Sequence, residues 1–267
     1  MEAKEQTTLL NKRGIGCSVT QRIKNIKQPK GGYIKPKELI EFSLGEGIEM
    51  LNSNENIHPI LVGLAVDYLT RFLSGTSLNE AFVVSFVGAR MAGKWLKAYF
   101  LKRRIKGLSN SSIISAVKLA GFDVVFRAGI RGYKPVEDIN PDKETIENIR
   151  VMVERSLNFL QKHGPKVLDG FYFEGGYTDI VSFGDGDFIT KDTLWDFKVS
   201  KNPIKSQHTL QLLMYWRMGL HSIHKEFKKV KYLGIYNPRT NAIFRIKTSE
   251  ISTEIINEVE KEVIGYK

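Results

Sequence analysis

Two acids, a lysine, a glutamine and a tyrosine fall at spacings that let them act together. In Leu194-Trp195-Asp196-Phe197-Lys198-Val199 an extended strand would send Trp195, Phe197 and Val199 to one face and Asp196 and Lys198 to the other. Charges beside a buried sheet are costly unless paired or metal-bound. The plainer alternative is a cross-strand salt bridge on a solvated face. Asp179, in Tyr177-Thr178-Asp179-Ile180-Val181, belongs to the preceding expected strand and is placed to converge with Asp196. Two close carboxylates repel, which raises one pKa unless a cation lies between them. Such a pair of hard oxygen ligands suits Mg2+ or Mn2+. Lys198 would then stand beside the metal, orienting a water or stabilising charge that develops on a phosphate. Gln211 and Tyr215 are four residues apart and share one helical face. Both can hydrogen-bond to a phosphate or a base, and Tyr215 can stack; the alternative is a core-facing tyrosine with an incidental glutamine. The layout suits phosphodiester hydrolysis.

The elements that must position these residues follow from periodicity and punctuation. Pro141-Asp142 opens a helix that runs to about Lys162, where His163-Gly164-Pro165 stops it. Val167–Phe173, Tyr177–Phe183 and Thr193–Val199 read as strands, with Gly184-Asp185-Gly186-Asp187 as a turn between the last two. Pro203 starts a helix to about His221. Val230–Tyr236 and Ala242–Ile246 form a hairpin around Asn237-Pro238-Arg239-Thr240-Asn241, with Arg239 a candidate backbone contact, and a last helix runs from Ser249 to about Val263. This order describes an α/β core with a mixed central sheet flanked by helices.

Upstream, residues 57–130 read as helical. Pro59 sits near a helix start, with Ile60, Val62, Val66, Leu69 and Phe72 as its apolar stripe; further helices span Leu78 to about Lys106 and Ser111–Ala120, with Gly121 as a C-cap. Residues 1–37 are basic and apolar-poor, and read as an irregular arm. The expected organisation is an arm over 1–37, a mainly helical region over 38–140 and an α/β core over 141–267.

Composition narrows the function classes. Forty Lys and Arg against 29 Asp and Glu give a formal charge of +11, which points towards a polyanion. The single cysteine, Cys17, can form no internal disulfide and excludes a Cys-rich zinc site or a cysteine-held iron–sulfur cluster. The N-terminal residues carry no apolar run of the signal-peptide kind, and Ile60–Leu69, the longest apolar stretch, holds Asp67 and is shorter than the roughly 20 residues of a membrane span. The expectation is a cytoplasmic protein with no membrane segment. A basic membrane-surface protein is the weakest reading, with Trp95–Lys106 as its only support.

Taken together, Asp179, Asp196-Phe197-Lys198 and Gln211-Leu212-Leu213-Met214-Tyr215 resemble the PD-(D/E)XK nuclease superfamily, and within it the RecB-like branch, over about residues 142–247. The resemblance implies a restriction-endonuclease-like core and a Mg2+- or Mn2+-dependent deoxyribonuclease. It implies metal binding by Asp179 and Asp196, catalysis by Lys198, and a Gln211/Tyr215 helix along the DNA path. Relatives often carry one more acid on an upstream helix, four residues after a glycine. Gly63-Leu64-Ala65-Val66-Asp67 has that spacing, so Asp67 is the candidate third ligand; Glu154 competes, and an Asp67–Arg71 surface pair is the plain alternative. RecB-like relatives with a four-Cys cluster are a poor match to a chain whose only cysteine is Cys17. Lys201 and Lys205 are candidate phosphate contacts. The expected partner is DNA, single- or double-stranded; the resemblance implies a helicase or other DNA-processing protein as a candidate companion, and the chain shows no P-loop signature of its own. A non-catalytic binding protein on the same fold is the alternative.

Overall fold

The computed structural model describes residues 16–44 and 51–267. The basic residues Lys4, Lys12 and Arg13 of the expected arm lie outside that range. From Cys17 on, the described part of the arm is irregular only over residues 26–35. Cys17–Ser18 form a short strand (β1) and Val19–Asn25 a helix (α1) capped by Ser18, whose hydroxyl accepts from the Gln21 amide at 3.2 Å. Val19, Ile23, Tyr33 and Ile34 are buried in the main core. Their apolar side chains are few and widely spaced among lysines, so the local charge hid them.

Ile40–Ser43 (β2) precedes a helical run. Pro59–Leu73 (α2), Leu78–Ala81 (α3), Val83–Met91 (α4), Trp95–Arg104 (α5), Asn110–Ala120 (α6) and Asp123–Ala128 (α7) follow in order. The single helix expected over Leu78–Lys106 is therefore three. The break before α5 falls at Ala92–Gly93, where Gly93 takes a φ of +67° that L side chains rarely adopt. In α2, Val62, Val66 and Leu69 are buried as expected, whereas Ile60 is exposed.

Lys143–His163 (α8) begins where Asp142 accepts a hydrogen bond from the Thr145 amide at 2.8 Å. The helix serves both halves of the molecule. Ile146, Ile149, Met152 and Val153 complete the helical core of α2 and α4–α6, while Phe159 stacks on Tyr236 of the sheet with ring centroids 4.1 Å apart. The helical region and the α/β core thus share an element.

The strands after α8 are Lys166–Tyr172 (β3), Val181–Phe183 (β4), Asp185–Thr190 (β5) and Thr193–Phe197 (β6). Ser206–Leu220 (α9) leads to Tyr232–Asn237 (β7), Ala242–Lys247 (β8) and Thr253–Glu258 (α10), which continues as a π-helix over Val259–Ile264. The mixed sheet has six strands in the order β2-β8-β7-β6-β5-β3. Only β6–β7 is parallel, as the intervening α9 crossover requires. β2, from the region expected to be helical, pairs antiparallel with β8 at the sheet edge. One face packs on α1, α9 and the C-terminal helix, the other on α8.

One expectation fails in a way that moves the site. Tyr177–Phe183 is not a strand beside β6; only Val181–Phe183 is extended, and β4 pairs with β1. The strand beside β6 is β5, built from the residues expected to turn. Gly186 lies opposite Phe171, and a Cβ there would meet that ring at 2.3 Å. The glycine makes room for a cross-strand aromatic ring rather than a reversal of the chain.

Candidate functional site

The β5–β6 hairpin places the acids. Phe188 pairs with Trp195, Ile189 with Leu194 and Thr190 with Thr193, so one further step brings Asp187 opposite Asp196. The alternation that turns Phe188 and Trp195 towards α8 turns Asp187, Asp196 and Lys198 towards α9. Asp187 Oδ2 accepts a 2.6 Å hydrogen bond from the Phe197 amide, which fixes the carboxylate at the end of β6. Like charges directly opposite each other destabilise a sheet. This pair sits where burial amplifies the repulsion.

Lys198 answers part of that charge. Its ammonium lies 3.0 Å from Asp196 Oδ1 and 2.9 Å from Oδ2, and donates to Gln211 Oε1 at 2.9 Å. Gln211 Nε2 donates in turn to the Tyr215 hydroxyl at 2.8 Å. Tyr215 is 5% exposed and packs against Phe173 at 5.1 Å between centroids, so it holds Gln211 and offers no face for a base to stack on. That corrects the expectation of a DNA contact at Tyr215; the i, i+4 spacing with Gln211 serves a relay to Lys198.

Asp67 approaches from α2. With Gly63 it lines a cleft of about 460 Å³, whose other wall is Asp187, Phe197, Lys198 and Val199. Asp179 does not reach this cleft. It occupies an exposed bend before β4, and Asp187 takes the position expected for it. Glu154 is exposed on α8 and does not line the cleft. Lys201 and Lys205 are exposed at and before the start of α9; the Lys201 ammonium donates to the Ser53 carbonyl at 2.9 Å. Arg239 is not a free backbone contact, because its guanidinium grips Glu55 at 2.8 and 3.0 Å.

The electrostatics follow from the crowding. Burial, and then the charges of Asp196 and Asp67, push the Asp187 carboxyl well above the usual carboxylate range, against Lys198 and the Phe197 amide. Burial also pushes Asp67 up, to about 6, with Arg71 opposing and Asp169 and Asp185 adding to the rise. For Lys198, burial pulls downward, but Asp196 and Asp187 outweigh it and hold the ammonium above its ordinary pKa.

The donor chemistry fits a hard divalent cation. Asp187 and Asp196 are two carboxylates that repel, and Asp196 Oδ2 is buried with no aligned hydrogen bond despite its contact with Lys198. Among the described residues no group of three or more His, Cys, Asp or Glu is gathered as a ready metal cage. Asp187 and Asp196 would hold the ion, with Asp67 across the cleft. The acid missed in the sequence had a signal: Phe188–Thr190 and Thr193–Trp195 are apolar, β-rich runs placed symmetrically about Lys191-Asp192.

A carboxylate with a raised pKa destabilises the fold once it ionises. For Asp67, whose ordinary value is 3.8, the penalty grows as pH rises from about 4 and is complete above about 6. Asp67→Asn is therefore expected to raise metal-free stability at about pH 7.5 by roughly 1–2 kcal/mol, and the gain should shrink towards zero near pH 4. Thermal unfolding in chelator at both pH values measures this. A variant less stable than the parent at the higher pH would contradict the assignment.

No helix among the described residues is long and apolar enough to cross a membrane. No protein-family model, curated protein or solved structure matches the chain.

Proposed function

We propose that the chain is a divalent-metal-dependent nuclease that hydrolyses DNA phosphodiester bonds in the cleft between α2 and the β5–β6 hairpin. The observation that carries the reading is the meeting of Asp187, Asp196 and Lys198 on one sheet face with Gln211 of α9 bonded to Lys198, and Asp67 of α2 lining the same cleft as Asp187 and Lys198. A mixed six-strand sheet flanked by helices is compatible with the reading.

Each side chain has a definable task. Mg2+ or Mn2+, when bound, would offset the carboxylate repulsion, polarise the phosphate and lower the pKa of a water. Asp187 and Asp196 supply hard oxygen ligands, and the Phe197 amide keeps Asp187 in place. Lys198 is protonated at neutral pH because the two acids raise its pKa. It therefore acts as a hydrogen-bond donor and electrostatic stabiliser, orienting water or meeting charge on the phosphate, and not as a general base. Gln211, fixed by Tyr215, aims the ammonium.

A second reading is a non-catalytic nucleic-acid-binding or protein-interaction protein on this fold. The ammonium already seated on Asp196 favours it, since that contact neutralises the acid without a metal. Incubation of the purified protein with labelled single- and double-stranded DNA separates the two. Cleavage is expected with Mg2+ or Mn2+ and none in EDTA. Binding with no cleavage of either substrate would mark the second reading instead.

A further inference from the structure

We infer that α5 is a binding platform for single-stranded nucleic acid, separate from the cleft. Trp95 is 60% exposed, Leu96 53%, Tyr99 47% and Phe100 58%, all on one short helix. Its opposite face is also apolar: Ala98 and Leu101, with Ile105 just beyond, are buried in the helical core. Large apolar side chains on both faces of a helix call for cover on both. This one is covered on one side only, and large exposed aromatics grouped in a patch mark an interaction site.

Charge says what covers it. Between Glu80 and Asp123 the sequence holds eight lysines and arginines and no carboxylate. Lys97 is tied to Glu137 at 2.7 Å, but Arg103 and Arg104, both exposed, make no ion pair among the described residues. The exposed face therefore faces a polyanion. Its layout is specific. Residues four apart lie in rows, so Trp95, Tyr99 and Arg103 form one row and Leu96, Phe100 and Arg104 the next. Each row runs from apolar or aromatic side chains to a guanidinium, and the Arg103 guanidinium lies 6.0 Å from the Tyr99 ring centroid.

A strand of unpaired nucleotides alternates flat apolar bases with phosphates, and such rows offer both to it. Duplex DNA hides its base faces in the stack and would leave the rings bare. A lipid surface separates apolar and charged layers by depth, whereas a helix lying on it would hold the rings and the arginines of each row at one depth. Single-stranded nucleic acid is the occupant that uses every exposed group.

The inference extends the nuclease reading by naming a strand-holding surface, and its test is independent of cleavage. The full-length Asp196→Asn chain in EDTA is titrated with a fluorescent oligothymidylate, with matched duplex and with vesicles containing phosphatidylserine. Each ring replaced by alanine is expected to weaken oligothymidylate binding by about 5- to 100-fold. The rings are exposed, so Trp95→Ala/Tyr99→Ala/Phe100→Ala is expected to fold. Arg103→Ala/Arg104→Ala should lower the slope of log affinity on log salt by about 1.4. Trp195 and Trp216 are buried, so quenching of the tryptophan signal by the oligonucleotide reports on Trp95. Unchanged affinity in the triple variant would overturn the platform, as would a Trp95 response to vesicles with none to the oligonucleotide. Binding that needs the rings, in a parent chain that never cleaves, would uphold the platform and reject the nuclease.

Discussion

Replacing Lys198 with alanine is expected to slow metal-dependent DNA cleavage by about 10²–10⁴-fold without loss of metal binding. The two halves of that expectation come from the same contacts. The ammonium sits on both oxygens of Asp196 and on Gln211. Removing it takes away the group proposed to orient water or stabilise the phosphate. It also leaves Asp196 and Asp187 facing each other with less compensation, so the variant should be less stable in chelator. Mn2+ should restore more stability to the variant than it gives the parent, because the competing cation has gone. Cleavage at saturating metal and thermal shift on adding Mn2+ read the two effects separately. Unchanged cleavage would remove Lys198 from the chemistry. Loss of the Mn2+ response would mean that it acts by organising the acids.

The second large effect lies outside the cleft. Arg239, at the β7–β8 turn, clamps Glu55, in the segment before α2, through two hydrogen bonds of 2.8 and 3.0 Å. Both side chains are almost fully buried, at 7% and 4% exposure. Asn148 of α8 donates a further bond to Glu55 at 3.0 Å. The pair thus ties the helical region to the sheet. Arg239→Ala would strand a buried carboxylate and is expected to cost about 3–5 kcal/mol. Glu55→Gln combined with Arg239→Met should cost clearly less than Arg239→Ala alone, because no charge is left unpaired. Urea unfolding of the parent and the two variants measures this. A loss under about 1 kcal/mol for Arg239→Ala would mean that the pair is solvated like a surface bridge.

How far the site could be read from the sequence depended on which local signal was strongest. Leu194–Val199 declared its faces, because strict alternation of period two has one structural meaning, and Asp196 and Lys198 do share a side. Gln211 and Tyr215 declared a shared helical face as clearly. Spacing alone could not say that this face was buried, so Tyr215 became a stacking candidate when it is a support. Asp187 was hidden by Gly-Asp-Gly-Asp, the strongest turn signature in the region. The real turn is Lys191-Asp192, whose residue types are ordinary, and Gly186 is small because Phe171 lies across it. A displaced turn exchanged Asp187 for Asp179. In the fold, Val19 and Ile23 were masked by surrounding lysines, and β2 by its distance in sequence from its partner β8. The α5 helix mixes apolar and basic residues, so its periodicity did not say that Trp95, Leu96, Tyr99 and Phe100 face outward while Ala98 and Leu101 face the core.

The central claim is that Asp187, with Asp196 and Lys198, forms a metal-dependent hydrolytic site, and that Asp179 does not. The most direct measurement is cleavage of labelled DNA in Mg2+ or Mn2+ by the parent chain, Asp187→Asn and Asp179→Asn side by side. Asparagine at Asp187 can still accept the Phe197 amide, so the fold is kept while the charge is lost. The parent and Asp179→Asn are expected to cleave alike, and Asp187→Asn to fall to background. Cleavage that survives Asp187→Asn, or that is lost in Asp179→Asn, would contradict the account.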